Sequence, residues 1–218
     1  MNIESNMKER ARQTVALALP VAKPAFGARS DRLILAGVAL VCVQTYFCFG
    51  DISYYLENGL FEICQNFFLL MAAGLYFQAA RTAPEHISRS FWLALTIFCM
   101  CILFRELDVR GTRFETQIGP VFDYHIHYGF LGVLWIALLI GSWGHVIKTL
   151  LLTPRWLVKG SGRVLLIGCA LYVLGDIAEK HFLTGDPDFS EMMEETFEQL
   201  GTMFIFLSAY VSLRKRAS

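Results

Sequence analysis

Charged residues are scarce in this chain of 218 residues. Only 17% of its residues are Asp, Glu, Lys or Arg, whereas 55% are hydrophobic, and the mean hydropathy is +0.47. Because soluble domains carry about a quarter charged residues, this balance predicts a membrane protein. The 19 basic and 19 acidic residues cancel. The chain therefore lacks the positive excess expected of a nucleic-acid-binding protein, and we expect no nucleic-acid partner.

The common motifs of redox, metal and hydrolytic enzymes are also missing. The six cysteines lie inside apolar runs and form no C-x-x-C pair, so neither a zinc ribbon nor a thiol relay is indicated. We interpret them as packing thiols. No H-E-x-x-H, H-x-x-x-H, G-x-S-G or P-loop string occurs. No motif therefore assigns an activity to the chain.

Six apolar segments dominate the rest of the sequence and predict an all-α fold. Crossing the hydrocarbon core of a bilayer takes about 20 helical residues. We predict a polytopic membrane protein, a six-transmembrane-helix bundle, with spans near residues 33–50, 60–80, 88–106, 127–147, 162–180 and 195–213. The transmembrane domain would cover residues 31–213. Residues 1–30, which lack the apolar core of a signal peptide, and residues 214–218 are predicted to be cytoplasmic tails.

The basic residues predict which side of the membrane each connection occupies. Cytoplasmic connections collect Lys and Arg. With the N-terminus inside, the cytoplasmic segments 1–32, 81–90, 148–163 and 214–218 hold 15 basic and 4 acidic residues. The remainder of the chain holds 4 basic and 15 acidic residues. This distribution predicts that both termini are cytoplasmic (N-in, C-in), and we expect location in the inner (plasma) membrane of a bacterium.

Many of the outer acidic residues lie next to or within apolar segments. The third segment runs directly into Arg105 and Glu106, and Glu62 and Glu198 lie at the outer ends of the second and sixth. Polar side chains at such depth usually face a bundle interior or a water-filled cavity. We therefore predict a shared periplasm-facing acidic site in which Arg105 is an internal counter-charge. Its candidate members are Glu62, Arg105, Glu106, Asp108, Asp176, Glu179, Glu195 and Glu198. The alternative is that these are ordinary charges at the membrane interface.

Two hairpins resemble each other in sequence. The strings Gly50-Asp51-Ile52 and Gly175-Asp176-Ile177 correspond, as do Phe61-Glu62 and Phe197-Glu198. Both hairpins would run from the inside to the outside and back. The bundle is thus a candidate for repeated helical hairpins related in parallel.

Histidines on the acidic side raise the question of a metal site. The string DYHIHY places Asp123, His125 and His127 at alternate positions, and His181 lies near the fifth span. Imidazole and carboxylate ligands suit Zn, Fe or Mn. The four candidate ligands are Asp123, His125, His127 and His181. The alternative is that the segment from Tyr124 to Tyr128 anchors a helix at the membrane interface.

Two classes of function follow from these features. In the first, the polar site binds a cation or a divalent metal, either for ion-coupled transport or for hydrolysis of a lipid-borne substrate. In the second, the protein is a non-catalytic membrane partner, such as an assembly factor, a sensor subunit or an immunity protein, and its acidic outer face docks another protein. The expected partners are the lipid bilayer and either a cationic ligand or a basic periplasmic protein.

Overall fold

The computed structural model describes residues 28–48, 59–83, 86–107, 124–158, 160–180 and 186–217. Within these ranges the regular structure is entirely helical, which confirms the all-α class for this part of the chain. It consists of seven α-helices and one short 3-10 helix. The α-helices are α1 (Ala28–Cys48), α2 (Leu60–Arg81), α3 (His86–Glu106), α4 (Tyr124–Gly141), α5 (Val146–Leu157), α6 (Ser161–Glu179) and α7 (Pro187–Ala217).

Two of these helices are long and apolar enough to cross a bilayer. They are α2 over Leu60–Arg81 and α6 over Ser161–Ala178. A third candidate arises if the bent pair Gly129–Gly141 and Trp143–Thr149 is counted as one span. The described residues thus contain two or three candidate membrane spans, as expected of a membrane protein. Six spans, their topology and the hairpin repeat remain predictions, and Asp51 of the repeat lies outside the described residues.

The fourth predicted span is bent in the structure. Helix α4 ends at Gly141, the 3-10 helix Trp143–His145 follows, and the axis changes direction by 65°. The Ser142 hydroxyl donates a hydrogen bond of 2.6 Å to the carbonyl of Leu138, four residues earlier. Glycine and serine together are a common cause of sharp helix bends. Helix α5 then occupies residues for which the sequence predicted a connecting segment.

A tight turn separates α5 from α6. Gly160 precedes α6 with a φ of 55°, a left-handed conformation that glycine adopts without steric cost. A Cβ atom at Gly162 would lie 2.1 Å from the carbonyl oxygen of Trp156. The two glycines therefore allow the start of α6 to pass directly against the end of α5.

Helix α7 lies at the centre of the bundle, where it packs against α6, α2 and α1. Helix α2 also packs against α3, which contacts α4 and α5. Leu69 and Tyr76 of α2, Cys99 of α3 and Ile205 of α7 are buried in one apolar cluster. This arrangement places polar residues of α2, α3, α6 and α7 at the same end of the bundle.

Helix α2 exposes an apolar face and buries polar side chains beside its buried apolar ones. The apolar residues Ile63, Phe67 and Leu70 on one face are exposed, whereas the polar residues Glu62 and Gln65 are buried. Large exposed apolar surfaces are rare on soluble monomers. A lipid environment removes the cost of exposing them and favours polar groups that face the interior. The pattern is therefore consistent with a helix surrounded by lipid.

Candidate functional site: an acidic cluster around Arg105

The last turn of α3 carries a guanidinium group that reaches two other helices. Arg105 donates a hydrogen bond of 2.5 Å from Nη2 to Oδ1 of Asp176 on α6. The same nitrogen lies 3.5 Å from Oε1 of Glu198 on α7, and Nε lies 3.5 Å from Oε1 of Glu106. Three carboxylates therefore converge on one guanidinium, which leaves an excess of two negative charges within this group when all are ionised.

Tyr172 completes this arrangement on the α6 side. Its hydroxyl donates a hydrogen bond to Glu106, and its ring lies under the guanidinium, with the Arg105 Cζ atom 5.2 Å from the ring centroid. The ring face attracts a cation and can orient the guanidinium. Tyr172 was not among the predicted site residues. The signal was present, because it lies four residues before Asp176 and so shares its helical face. We name Arg105, Glu106, Tyr172, Asp176 and Glu198 the Arg105 cluster.

Exposure falls across the Arg105 cluster from one side to the other. The side chains of Arg105 and Asp176 are 41% and 31% exposed, whereas those of Glu106 and Glu198 are 12% and 3% exposed. The guanidinium and Asp176 thus form the open side of the site. The carboxylate of Glu198 is enclosed behind them.

Glycines set how closely α6 and α7 approach at this site. A Cβ atom at Gly175 would lie 2.4 Å from Cγ of Glu198. About two helical turns earlier on α6, a Cβ atom at Gly168 would lie 2.8 Å from the carbonyl oxygen of Gly201. A Cβ atom at Gly201 would likewise lie 2.8 Å from the carbonyl oxygen of Gly168. Small residues at such crossings let membrane helices pack closely. The glycines therefore bring Glu198 within reach of residues on α6.

A second polar group lies beside the cluster, between α2 and α7. The Gln65 carboxamide donates a hydrogen bond of 2.7 Å from Nε2 to Oε2 of Glu195. Glu195 also interacts electrostatically with Glu62 and Glu106. On the next turn of α7, Nε2 of Gln199 donates a hydrogen bond of 2.9 Å to Oε1 of Gln44 on α1. Polar contacts thus link α1, α2 and α7 at the level of the acidic cluster.

The structure places the predicted acidic-site residues in three categories. Arg105, Glu106, Asp176 and Glu198 form one cluster, in which each carboxylate lies within 3.5 Å of the Arg105 guanidinium. Glu195 and the buried Glu62 lie next to it on α7 and α2. Asp108 lies outside the described residues. Glu179 is the last residue of α6, and its side chain is likewise outside the described part of the chain.

The predicted metal ligands fall on segments that the structure does not describe in full. Asp123 and His181 lie outside the described residues. His125 and His127 belong to the first turn of α4, but their side chains are not described. Among the described side chains, no group of three or more His, Cys, Asp or Glu residues is arranged to hold a metal ion. The metal site with Zn, Fe or Mn remains a prediction.

Comparison with known proteins gives no assignment for this arrangement: no family model, no curated protein and no solved structure matches the chain.

Proposed function

We propose that the chain is a multi-pass protein of a bacterial inner membrane, with six spans and both termini in the cytoplasm. The Arg105 cluster would then open to the periplasm and bind a proton or another small cation as part of ion-coupled transport. The membrane assignment is supported by the candidate spans and by the exposed apolar face of α2. The orientation is supported by the basic residues at the opposite connections.

The observation that carries the functional proposal is the enclosed carboxylate of Glu198. Its side chain is 3% exposed, and it shares the single guanidinium of Arg105 with Asp176 and Glu106. A carboxylate that only forms a docking surface for a basic protein would need to be exposed. An enclosed carboxylate with incomplete charge compensation instead attracts a small cation. Buried carboxylates within membrane helices are typical of proton and ion pathways.

The proposal is tested by measuring charge movement in the reconstituted full-length protein. Proteoliposomes on a solid-supported membrane are exposed to rapid steps in H⁺ or Na⁺ concentration, and the transient current is recorded. We expect a saturable current in the wild type and its loss in Glu198→Gln and Asp176→Asn. Asp188→Asn is the matched control, because Asp188 is exposed at the start of the same helix α7.

Currents of wild-type size in both cluster variants would reject the proposal, provided that each variant elutes as a monodisperse folded protein. The cluster would then serve to join α3, α6 and α7, and docking of a basic partner would become the better hypothesis. A lack of current in every protein, the wild type included, also counts against cation binding at this site.

The proposed orientation has a separate test. A reporter enzyme that is active only in the periplasm is fused after Glu115 or after Lys159. We expect activity from the first fusion and none from the second, because basic connections remain in the cytoplasm. The reverse result would show that the Arg105 cluster faces the cytoplasm.

A further inference from the structure

Helix α5 follows the sharp bend after α4 and runs in a different direction. The segment Trp143–Thr149 leaves the axis of α4 at 65°. Helix α4 itself has 18 residues, so it is about 27 Å long and nearly matches a hydrocarbon core of about 30 Å. If α4 crosses the bilayer with the usual tilt of about 20°, the segment after the bend lies roughly 45–85° from the bilayer normal. It therefore inclines towards the membrane plane.

The end of α5 lies far from the Arg105 cluster. The ring of Trp156 packs 5.0 Å from that of Phe91 and 5.8 Å from that of Trp92, between ring centroids, near the start of α3. Arg105 follows Phe91 on the same helix by about 21 Å. Helix α5 thus belongs to the opposite end of the bundle. At that depth we expect the boundary between hydrocarbon and headgroups.

One flank of α5 is apolar and exposed. Trp143, Ile147 and Val158 are 81%, 74% and 53% exposed, and Pro154 is exposed as well. These positions are four, seven and four residues apart, a spacing that keeps them on one side of a helix. We name the four residues the α5 stripe. A different flank of the helix, with Trp156, packs against the core of the bundle.

Basic residues accompany the α5 stripe, and no acidic residue opposes them. Lys148 is exposed directly after Ile147. At the other end of the stripe, Nε of Arg163 donates a hydrogen bond of 2.6 Å to the carbonyl of Val158. Arg155 and Lys159 lie between them in the sequence, whereas residues 124–175 contain no Asp or Glu. The positive charge of this segment is therefore not compensated within it.

The surroundings of the α5 stripe indicate what covers it. The stripe continues the apolar face of α4, on which Val133, Ile136 and Ile140 are also exposed. Hydrocarbon that covers α4 therefore extends to the stripe. An apolar flank beside basic residues is typical of helices that lie in the membrane interface and contact anionic lipids. An acidic protein would match the charge, but it would leave this continuity with α4 unexplained.

We propose that α5 is an interfacial helix that binds the headgroups of anionic phospholipids. The α5 stripe inserts into the acyl-chain boundary, and Lys148, Arg155, Lys159 and Arg163 contact the phosphates. This inference goes beyond the proposed ion binding, because it concerns the other end of the bundle. It rests on the proposed function only for the choice of leaflet, which would be the cytoplasmic one.

The experiment measures quenching of tryptophan fluorescence by brominated lipids in bilayers that contain the full chain. Phosphatidylcholine bilayers receive equal fractions of either brominated phosphatidylcholine or brominated phosphatidylglycerol, which is anionic. The signal of Trp143 is the difference between the wild type and Trp143→Phe. We expect both lipids to quench it, because the stripe lies in the acyl-chain boundary. The anionic lipid should be favoured at least about threefold at low salt.

Two controls assign this preference to the charges on α5. The double variant Lys148→Gln with Arg155→Gln should lose most of the preference but keep the quenching by phosphatidylcholine. Arg32→Gln is the matched control, since Arg32 is exposed on α1, which packs against α7, and it should behave as the wild type. If the double variant fails to fold, about 1 M salt should remove the preference in the wild type, because it shortens the screening length to about 3 Å.

Three results would overturn the proposal. Trp143 fluorescence that neither lipid quenches would place α5 outside the membrane. Equal quenching by the two lipids in the wild type would leave the basic residues without a headgroup partner. A preference that survives both the double variant and high salt would show that other groups cause it.

The outcome is independent of the tests of the proposed function. Symmetric bilayers present the same lipids to both ends of the bundle, so the quenching does not depend on orientation. Loss of the transient current in the wild type would reject ion binding at the Arg105 cluster and leave the lipid contact of α5 intact. Absence of the lipid preference would reject this inference alone.

Discussion

The crossing of α6 and α7 provides the sharpest test of how this bundle is built. A Cβ atom at Gly201 would lie 2.8 Å from the carbonyl oxygen of Gly168 and 2.8 Å from the backbone nitrogen of Tyr172. Ordinary contacts begin near 3.4 Å, and backbone atoms of a packed helix cannot rotate away as a side chain can. The substitution Gly201→Ala must therefore push the two helices apart where Tyr172 enters the Arg105 cluster.

The expected loss of stability follows from two opposing effects. Overpacking of a close contact costs about 1–3 kcal/mol, whereas alanine gains about 1 kcal/mol of helix propensity over glycine. We expect Gly201→Ala to lower the free energy of unfolding by up to about 2 kcal/mol. For a chain of this length, a loss of about 2 kcal/mol corresponds to a melting temperature lower by roughly 4–8 °C.

A matched variant isolates the effect of the contact. Gly74 lies on the exposed face of α2, and a Cβ atom there would meet nothing within 4 Å. Gly74→Ala should therefore leave the melting temperature unchanged or raise it. Both variants are measured by thermal unfolding in the same detergent. If Gly201→Ala melts at or above the temperature of Gly74→Ala, the close approach of α6 and α7 is wrong.

Three further predictions concern individual contacts. Arg105→Gln should lower the free energy of unfolding by about 1–2 kcal/mol, a value between those for exposed and buried ion pairs. Adding Glu198→Gln to this variant should restore part of the lost stability. Additive effects of the two substitutions in a double-mutant cycle would contradict the pairing of Arg105 with Glu198. Tyr76→Phe removes the hydrogen bond of 2.9 Å to Ser208 and should cost about 1 kcal/mol, whereas an unchanged melting temperature would argue against this buried contact. Gly162→Ala should disturb the turn between α5 and α6 enough to reduce the yield of monodisperse protein, and a normal elution profile would show that the turn can open.

The extent of several helices could be predicted from the sequence. The segments near residues 60–80 and 162–180 correspond to α2 (Leu60–Arg81) and α6 (Ser161–Glu179), because long apolar runs between polar connections have few alternatives to a helix. The bend after α4 could not be predicted from hydropathy, since Ser142 and its neighbours are compatible with a continuous apolar run. Helix α5 was missed for a related reason. Its basic residues Lys148 and Arg155 are typical of a cytoplasmic connection, and a count of basic residues does not show on which face of a helix they lie.

The candidate site was accessible to sequence reasoning only in part. Glu198 and Asp176 could be predicted as site residues, because charged residues beside apolar runs need a physical reason. Tyr172 could not, since a tyrosine within an apolar helix indicates no site until its hydrogen-bond partner is known. The link between Gln65 and Glu195 joins residues 130 positions apart, and no local pattern relates them.

By itself, the sequence determined that the chain is helical, rich in apolar surface and strongly asymmetric in the placement of its charges. These properties depend on composition and on spacing along one helix, which are local. Only the tertiary structure decided which charges meet. The glycines at positions 168, 175 and 201 set the distance between α6 and α7, and this distance places Arg105 of α3 against Asp176 and Glu198. Contacts between distant residues depend on how the helices cross, and that geometry is fixed by packing across the whole bundle.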